Sequence, residues 1–203
     1  MNVMNQIVYV VEDDEAVRDS LLLLLRAEGY STKGYSSAQS FLEEEVADLN
    51  GCLVLDIRMP GMTGMELHKK LLELGCALPV IFVTGHGDVA MAVEAMKLGA
   101  VDFVQKPYRE EDLLEKVKGA LAMDAEQKEA LRHKEKLRQK IESLTPRELE
   151  IMEMMIEGNA NKVIAIELNI SQRTVEIHRS RVMQKMGTHS LAQLVQMVLA
   201  ARS

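Results

Sequence analysis

The sequence predicts an α/β domain followed by a small all-α domain, and three observations support this. Short apolar runs alternate with amphipathic helical patterns through the first two thirds of the chain. A continuously helical, charged segment follows, without Gly or Pro between residues 120 and 144. Four short helical patterns separated by turn residues then complete the chain. We expect domains at residues 1–121 and 143–203, joined by a helical linker at residues 122–142.

Five expected strands, each followed by a helical pattern, predict a parallel sheet covered by helices on both faces. Right-handed crossovers would bring all the carboxyl ends of its strands to one edge. The expected strands are residues 7–11, 31–35, 52–55, 80–84 and 101–104. The expected helices of this domain are residues 15–28, 38–48, 64–74 and 88–98.

The long helical pattern spans residues 109–144, and its apolar positions are loosely spaced. A solvated spacer and a helix that packs against a partner both fit this pattern. The C-terminal domain begins at Thr145, because Thr145, Pro146 and Glu148 form a capping-box pattern with Pro at the first helical position. Its expected helices are residues 146–157, 162–168, 172–186 and 191–200.

Composition indicates a globular protein, with 47% hydrophobic residues among 203. The start of the chain lacks a basic segment before its first apolar run, and the Leu run at residues 21–25 is too short to cross a bilayer. We therefore expect a cytoplasmic protein without a membrane partner. Cys52 and Cys76 lack paired spacing and are expected to be reduced core thiols.

Charge is distributed unevenly along the chain. The formal net charge is −7, and residues 1–122 carry 20 acidic against 11 basic side chains. The remainder is almost balanced and could present a locally basic face. This asymmetry indicates that the two domains do different work.

Asp56 lies at the carboxyl end of the third expected strand, where open α/β sheets gather their ligands. Glu12 and Asp13 follow the first strand, and three converging carboxylates would repel one another unless a hard cation offset them. Mg²⁺ takes oxygen ligands of this kind. Two simpler interpretations are a turn-forming role for Asp56 and a helix-initiating role for the acidic run that begins at Glu12.

Thr84 ends the fourth strand, and Lys106 follows the fifth, so a hydroxyl and an ammonium are expected at the same edge. Both can donate to an anion. The Lys106–Pro107 bond is a candidate cis peptide. Phe103 in the fifth strand could be either plain core or a moving side chain.

The first 120 residues resemble a receiver domain of a bacterial two-component response regulator. The resemblance rests on four motifs in the order and spacing of that family: VVEDD at residues 10–14, LDIRMPGMTG at 55–64, VTGHGD at 83–88 and DFVQKP at 102–107. It implies a flavodoxin-like sheet in which Asp56 accepts a phosphoryl group from a sensor histidine kinase.

The resemblance also implies roles for the surrounding residues. Glu12, Asp13, Asp56 and the main-chain carbonyl of Arg58 would hold Mg²⁺, and Glu12 stands where many relatives have Asp. Thr84 and Lys106 would bind phosphoryl oxygens, while Phe103 would turn inward when Thr84 moves. Arg58 and His86 beside the site are hypothesised to gate the attacking water.

Two helices joined by a tight turn, at residues 162–168 and 172–186, favour a helix-turn-helix that reads DNA with its second helix. An amphipathic helix with a solvated charged face fits the same pattern. The apolar stripe of the second helix is Val175, Val182 and Met186, which are expected to be buried. The residues left facing outward are Arg173, Glu176, Ile177, Ser180 and Arg181. For His178 we expect a satisfied, partly buried imidazole.

The segment from Leu144 onward resembles a LuxR-type helix-turn-helix domain, through LTPRELEIM, EGNANKVIAIELNIS, RTVEIHRSRVMQKM and SLAQLVQMVLAA. The two domains in this order resemble the FixJ-like regulators of the NarL group. By resemblance, base contacts fall to Glu176, Ile177 and Ser180. Phosphate contacts fall to Lys162, Arg173, Thr174, Arg179, Arg181 and Lys185.

The sequence thus predicts a transcription regulator that is not an enzyme and that binds promoter DNA as a dimer once Asp56 is phosphorylated. Its expected partners are a sensor histidine kinase, double-stranded DNA, a second copy of the chain and RNA polymerase. Two alternatives stay open. One is a constitutive DNA binder whose receiver serves only for dimerisation, and the other is a Mg²⁺-dependent phosphohydrolase.

Overall fold

The computed structural model describes residues 6–46, 49–85 and 89–202. Across these residues the chain forms five strands and nine helices. The strands are β1 (Ile7–Val11), β2 (Ser31–Tyr35), β3 (Gly51–Asp56), β4 (Val80–Thr84) and β5 (Asp102–Gln105). The helices are α1 (Glu15–Ala27), α2 (Ala38–Phe41), α3 (Gly64–Glu73), α4 (Val89–Lys97), α5 (Glu110–Glu142), α6 (Pro146–Ile156), α7 (Asn161–Glu167), α8 (Gln172–Met186) and α9 (Leu191–Arg202).

The five strands form one sheet in the order β2-β1-β3-β4-β5, and every neighbouring pair is parallel. This confirms the predicted parallel sheet. The direction in which strands are added to the sheet changes between the neighbours β1 and β3. In open α/β sheets, ligands bind beyond the carboxyl ends of the two strands where this change occurs.

Alternate residues of the central strands face two separate hydrophobic clusters. Leu53 and Leu55 of β3 point into the cluster that includes side chains of α2, α3 and α4. Cys52 and Val54 point into the cluster that includes side chains of α1 and α5. β3 is buried along its whole length, as expected for a strand covered on both faces.

Several expected elements differ from the structure by one or two residues at an end, and α2 differs by more. The helix expected at residues 38–48 is wrong beyond Phe41, where α2 ends, and residues 47–48 lie outside the described part of the chain. Leu42 and Val46 still pack on the core, so their apolar pattern serves burial without a continuing helix. β5 begins at Asp102 rather than residue 101. The start expected for α4 at residue 88 lies outside the described residues.

The long helix is confirmed as a single element, α5, of 33 residues. The chain divides into two compact units, Met1–Gln127 and Lys128–Ser203, so the division falls within α5. The expected domain limits at 1–121, 122–142 and 143–203 stay predictions. Within the described residues, no helix is both long and apolar enough to span a membrane.

The second unit is built around one hydrophobic cluster. Ile151 and Met152 of α6, Val175 and Val182 of α8 and Leu194 of α9 are fully buried in it. α6 begins with the predicted capping box, since the Thr145 side chain accepts from the Glu148 N–H while the Glu148 carboxylate accepts from the Thr145 N–H. α8 occupies the predicted residues and is capped by Ser171, whose hydroxyl accepts from the Thr174 N–H.

Candidate functional site

The carboxyl edge of the sheet gathers an acidic pocket. Glu12 directly follows β1, and Asp56 is the last residue of β3; both are buried, at 3% and 7% exposure. Asp13 is exposed beside them. Carboxylate oxygens of Glu12, Asp13 and Asp56 all lie within 4.8 Å of one another. The strand polarity therefore brings these side chains together as expected.

The Lys106 ammonium lies within this pocket. It donates to Glu12 Oε2 at 2.8 Å and to Asp56 Oδ1 at 2.9 Å. Burial raises the pKa of Glu12, and the Asp56 charge acts in the same direction, while the hydrogen bond from Lys106 opposes both. Burial acts to lower the pKa of Lys106, but its bonds to the two carboxylates raise it above the ordinary value. The lysine therefore stays charged and offsets the acidic cluster.

The backbone that carries Lys106 is fixed by its neighbours. The Lys106 N–H donates to the Thr84 carbonyl, and the Lys106–Pro107 peptide is cis, as considered from the sequence. Thr84 is 3% exposed, and its hydroxyl donates to the Gly85 carbonyl at 3.1 Å. Phe103 pairs with Phe82 of β4 in the sheet register and is half-buried against the core.

The loop after Asp56 folds tightly back on the strand end. Its main chain supplies a donor, since the Arg58 N–H donates to Asp56 Oδ2 at 2.7 Å. Gly64 approaches so closely that a Cβ there would lie 2.1 Å from the Asp56 carbonyl oxygen. Only glycine fits this contact without moving the backbone. Thr63 then starts α3 with a second capping box, closed by Glu66.

A second surface of interest lies on α8. Val175, Val182 and Met186 are buried as expected, and the opposite side of the helix is exposed. Five residues line a shallow depression there: Arg173, Glu176, Ile177, Ser180 and Arg181. They are the five residues predicted to face outward.

The turn between α7 and α8 contains one residue with a left-handed backbone. Asn169 adopts a left-handed conformation with φ of 51°, which Asn tolerates better than most residues. The Arg147 guanidinium donates to the Leu168 carbonyl at 2.7 Å and so holds the end of α7. The pair α7–α8 is thus fixed by both its turn and its neighbour α6.

Comparison with known proteins also divides the chain into an N-terminal and a C-terminal domain. A model described as a response regulator receiver domain matches residues 8–118, and one described as bacterial regulatory proteins of the luxR family matches residues 142–198. The response regulator protein TmoT of Ectopseudomonas mendocina is 44% identical over 96% of this chain and 89% of its own length. The transcriptional regulatory protein FixJ of Azorhizobium caulinodans is 45% identical over 96% of this chain and 92% of its own. The chain belongs to the two-component response regulators.

A solved structure supports the assignment across both units. The response regulator StyR is 43% identical, with a TM-score of 0.87, covering 95% of this chain and 98% of its own. The protein is accordingly a DNA-binding transcription regulator that joins a receiver domain to a LuxR-type helix-turn-helix domain. The matched families and the relatives named here are regulators, not enzymes.

The predicted DNA contacts of the regulator occupy different environments. Lys162 is exposed, whereas Thr174 and Arg179 are half-buried. Lys185 has internal partners: it donates to Glu148 Oε2 at 2.6 Å and to the Ser143 carbonyl at 3.0 Å. We missed this internal role from the sequence, and the predicted phosphate contact of Lys185 stays a prediction.

His178 was expected to be partly buried and satisfied, and only the first half is correct. The residue is half-buried, but its Nδ1 is buried without a hydrogen-bond partner among the described residues. His86, hypothesised to lie beside the phosphoacceptor pocket, is outside the described residues.

Arg18 of α1 is a further residue of the regulator that we missed. Its guanidinium donates to the Glu12 carbonyl at 2.8 Å and to the Asp13 carbonyl at 3.4 Å. It therefore restrains the backbone from which two of the three carboxylates project. The available signal was its position in the first turns of the helix that directly follows the acidic residues.

Proposed function

We propose that this response regulator is switched by phosphorylation of Asp56. The proposal is supported most directly by one observation at the carboxyl edge of a receiver-type sheet. The carboxylates of Glu12, Asp13 and Asp56 converge there, and Glu12 and Asp56 both accept from the Lys106 ammonium. A sensor histidine kinase is the phosphoryl donor. Arg58 and His86 are further proposed to control access of the water that hydrolyses the phosphoryl group. His86 lies outside the described residues.

In the transfer, an Asp56 carboxylate oxygen attacks the phosphorus of a phosphohistidine. The new P–O bond forms as the P–N bond breaks, and the imidazole nitrogen departs with a proton from solvent. The chain contributes positioning and charge, since phosphoryl transfer depends mainly on these. Lys106 shifts from its carboxylate partners toward the phosphoryl oxygens, which Thr84 also binds.

The donor set of the pocket fits Mg²⁺. Three carboxylate oxygens within 4.8 Å of one another form a hard, anionic site of the kind this ion prefers. Glu12, Asp13 and Asp56 would hold the ion together with the Arg58 carbonyl. When bound, it offsets negative charge on the carboxylates and on the phosphoryl group.

Phosphorylation acts by shifting a population between two states of the receiver. In the active state Thr84 has moved toward the phosphoryl group and Phe103 has turned inward. The face formed by α4 and β5 changes in response and pairs with a second receiver. Exposed apolar side chains in and directly after α4, Val93, Met96 and Leu98, support this choice of face.

The DNA-binding domain reads two half-sites of promoter DNA in the resulting dimer. Glu176, Ile177 and Ser180 face base edges. Because none of the three is cationic, the expected targets are the amino group at cytosine N4 and the thymine methyl group. The phosphate contacts are Lys162, Arg173, Thr174, Arg179, Arg181 and Lys185. Such a regulator acts in the cytoplasm, with RNA polymerase as a further partner, and its domains are residues 1–121 and 143–203 with the linker 122–142.

Asp56→Asn tests the assignment of the phosphoacceptor. The protein is incubated with acetyl phosphate and Mg²⁺, and intact-protein mass spectrometry records the gain of one phosphoryl group. We expect the gain in the unsubstituted chain and none in Asp56→Asn, whereas Asp13→Asn, which keeps the acceptor, is phosphorylated slowly. Unchanged incorporation in Asp56→Asn would defeat the assignment.

The same experiment addresses the phosphohydrolase alternative. A hydrolase needs a second acid or base close to its nucleophile, and Arg58 occupies the position two residues after Asp56. We expect a single phosphoryl group per chain and no turnover of an added phosphate ester. Sustained release of phosphate from such an ester would support the enzyme instead.

A further inference from the structure

The last turns of α5 belong to the packing of the DNA-binding unit. Leu137 is 3% exposed, and Ile141 packs against the cluster that also holds Val175 and Val182 of α8. These residues lie in the segment expected to be a linker. The end of α5 is therefore in direct contact with the core on which the recognition helix rests.

Two cations near the end of α5 bind the carboxyl ends of other helices. The Lys140 ammonium donates to the carbonyl of Met186, the last residue of α8, at 2.8 Å. The Arg138 guanidinium donates through Nε to the Ala201 carbonyl near the end of α9, at 3.1 Å. Carbonyls in the last turn of a helix lack intrahelical partners and carry its negative dipole end, so a cation there is stabilising.

The end of α8 is shaped to receive Lys140. Gly187 adopts the left-handed conformation, and its N–H, with that of Thr188, donates to the Met183 carbonyl. This leaves the Met186 carbonyl to Lys140. A Cβ on Gly187 would lie 3.2 Å from the lysine nitrogen, so the missing side chain leaves room for the contact.

A reciprocal bond connects the same two helices. Lys185 of α8 donates to the carbonyl of Ser143, the residue directly after α5, and to the buried Glu148 carboxylate. α5 thus holds the end of α8 through Lys140, while α8 holds the chain at the end of α5 through Lys185. We call this pair of contacts the α5–α8 junction.

From this geometry we infer that Lys140 is a positioning residue for DNA recognition, which orients α8 through the α5–α8 junction without touching DNA. The inference rests on the proposed role of α8 as the reading helix. It extends the DNA-reading unit into the linker, to about Leu137. Its consequence is that the end of α5 controls how base-reading residues such as Glu176 and Ile177 are presented.

The test compares Lys140→Ala with Lys136→Ala in the full-length chain, in buffer with acetyl phosphate and Mg²⁺. Lys136 is a matched control, because it lies one turn earlier on the exposed surface of the same helix and its substitution removes the same charge. The probes are a duplex enriched by the unsubstituted chain from a random-sequence pool and a scrambled duplex of equal composition. Fluorescence anisotropy gives both affinities at several salt concentrations, and circular dichroism gives the melting temperature.

We expect Lys140→Ala to weaken binding to the enriched duplex about three- to tenfold, with less than about twofold loss on the scrambled duplex. The dependence of affinity on salt stays unchanged, because no phosphate contact is lost. Lys136→Ala changes both affinities little and equally. Lys140→Arg retains the donor and the charge and therefore keeps affinity for the enriched duplex.

Three results would overturn the inference. Equal losses in the two alanine variants would indicate a general charge effect. A uniform loss with a flatter salt dependence would indicate that Lys140 contacts phosphate. A lower melting temperature with unchanged affinity would indicate a structural role alone. If Lys140→Ala does not fold, Lys140→Met, which keeps the packing of the alkyl chain, replaces it under the same criteria.

Failure of the proposed function gives a different result. A chain that enriches no sequence from the pool has no sequence-reading helix, and the inference fails together with that proposal. A chain that enriches a sequence and binds it equally well without Lys140 contradicts the inference alone.

Discussion

At the scale of single residues, Lys106 offsets two buried carboxylates at once. Its ammonium is 2.8 Å from Glu12 Oε2 and 2.9 Å from Asp56 Oδ1. Burial and the Asp56 charge both raise the pKa of Glu12, and the hydrogen bond from Lys106 acts against them. The same cation is therefore placed to stabilise charge that develops on a phosphoryl oxygen at Asp56.

Lys106→Met tests this role. We expect the initial rate of phosphoryl incorporation from acetyl phosphate to fall at least about tenfold, because the charge that stabilises the transition state is lost. Lys69→Met is the matched control, since Lys69 is exposed on α3 and its loss removes the same charge without removing a hydrogen bond to Glu12 or Asp56. Equal rates in the two variants would rule out a direct role for Lys106.

At the scale of elements, the strands were predicted better than the loops and short helices. β1, β2 and β4 occupy the expected residues. For β1 and β4 the reason is that an apolar, β-branched run ends directly before Glu12 and before Gly85. α2 was predicted too long, because Leu42 and Val46 have helical spacing yet pack on the core from irregular backbone. The spacing of apolar residues indicates which side chains are buried, but it does not determine whether the backbone that carries them is helical.

The pocket could be predicted from the sequence because parallel strands deliver their carboxyl ends to one edge, so Glu12 and Asp56 had to meet. The partners of Lys185 and Lys140 could not be predicted. These lysines reach carbonyls and a carboxylate 37 to 46 residues away, and no local pattern specifies which long side chain finds which carbonyl.

The contact between α6 and α8 predicts a dependence of stability on pH. The hydrogen bond from Lys185, followed by those from Thr145, lowers the pKa of Glu148 to about 2. The pKa of a Glu in the unfolded chain is about 4.3. The folded pKa is the lower one, so the stabilisation is complete above about pH 5 and is lost as the pH falls toward about 2.

Glu148→Gln removes this contribution. At pH 7 we expect the free energy of unfolding of the helical unit to fall by roughly 1–3 kcal/mol, because a buried charged hydrogen bond is lost. The difference from the unsubstituted chain should shrink as the pH falls below about 4. Thermal unfolding by circular dichroism measures it, with exposed Glu142→Gln as control. A difference that does not change with pH would contradict the assignment.

At the scale of the whole molecule, the chain combines an acidic receiver with a nearly neutral DNA-binding domain, and the charge asymmetry of the sequence follows that division. The two compact units divide inside α5, so a single helix carries residues of both. We propose that phosphorylation of Asp56 in the first unit is read as DNA affinity by the second, through dimerisation of the receivers.

One measurement tests this central claim most directly. Fluorescence anisotropy on the enriched duplex measures DNA affinity, and light scattering measures molar mass. Both are recorded for the unsubstituted chain and for Asp56→Asn, with and without acetyl phosphate and Mg²⁺. We expect the phosphodonor to tighten binding of the unsubstituted chain by about tenfold or more, a coupling within the usual allosteric range. Its mass should rise to that of a dimer, with neither change in Asp56→Asn. Affinity and mass that ignore the phosphodonor in the unsubstituted chain would contradict the account and identify a constitutive DNA binder.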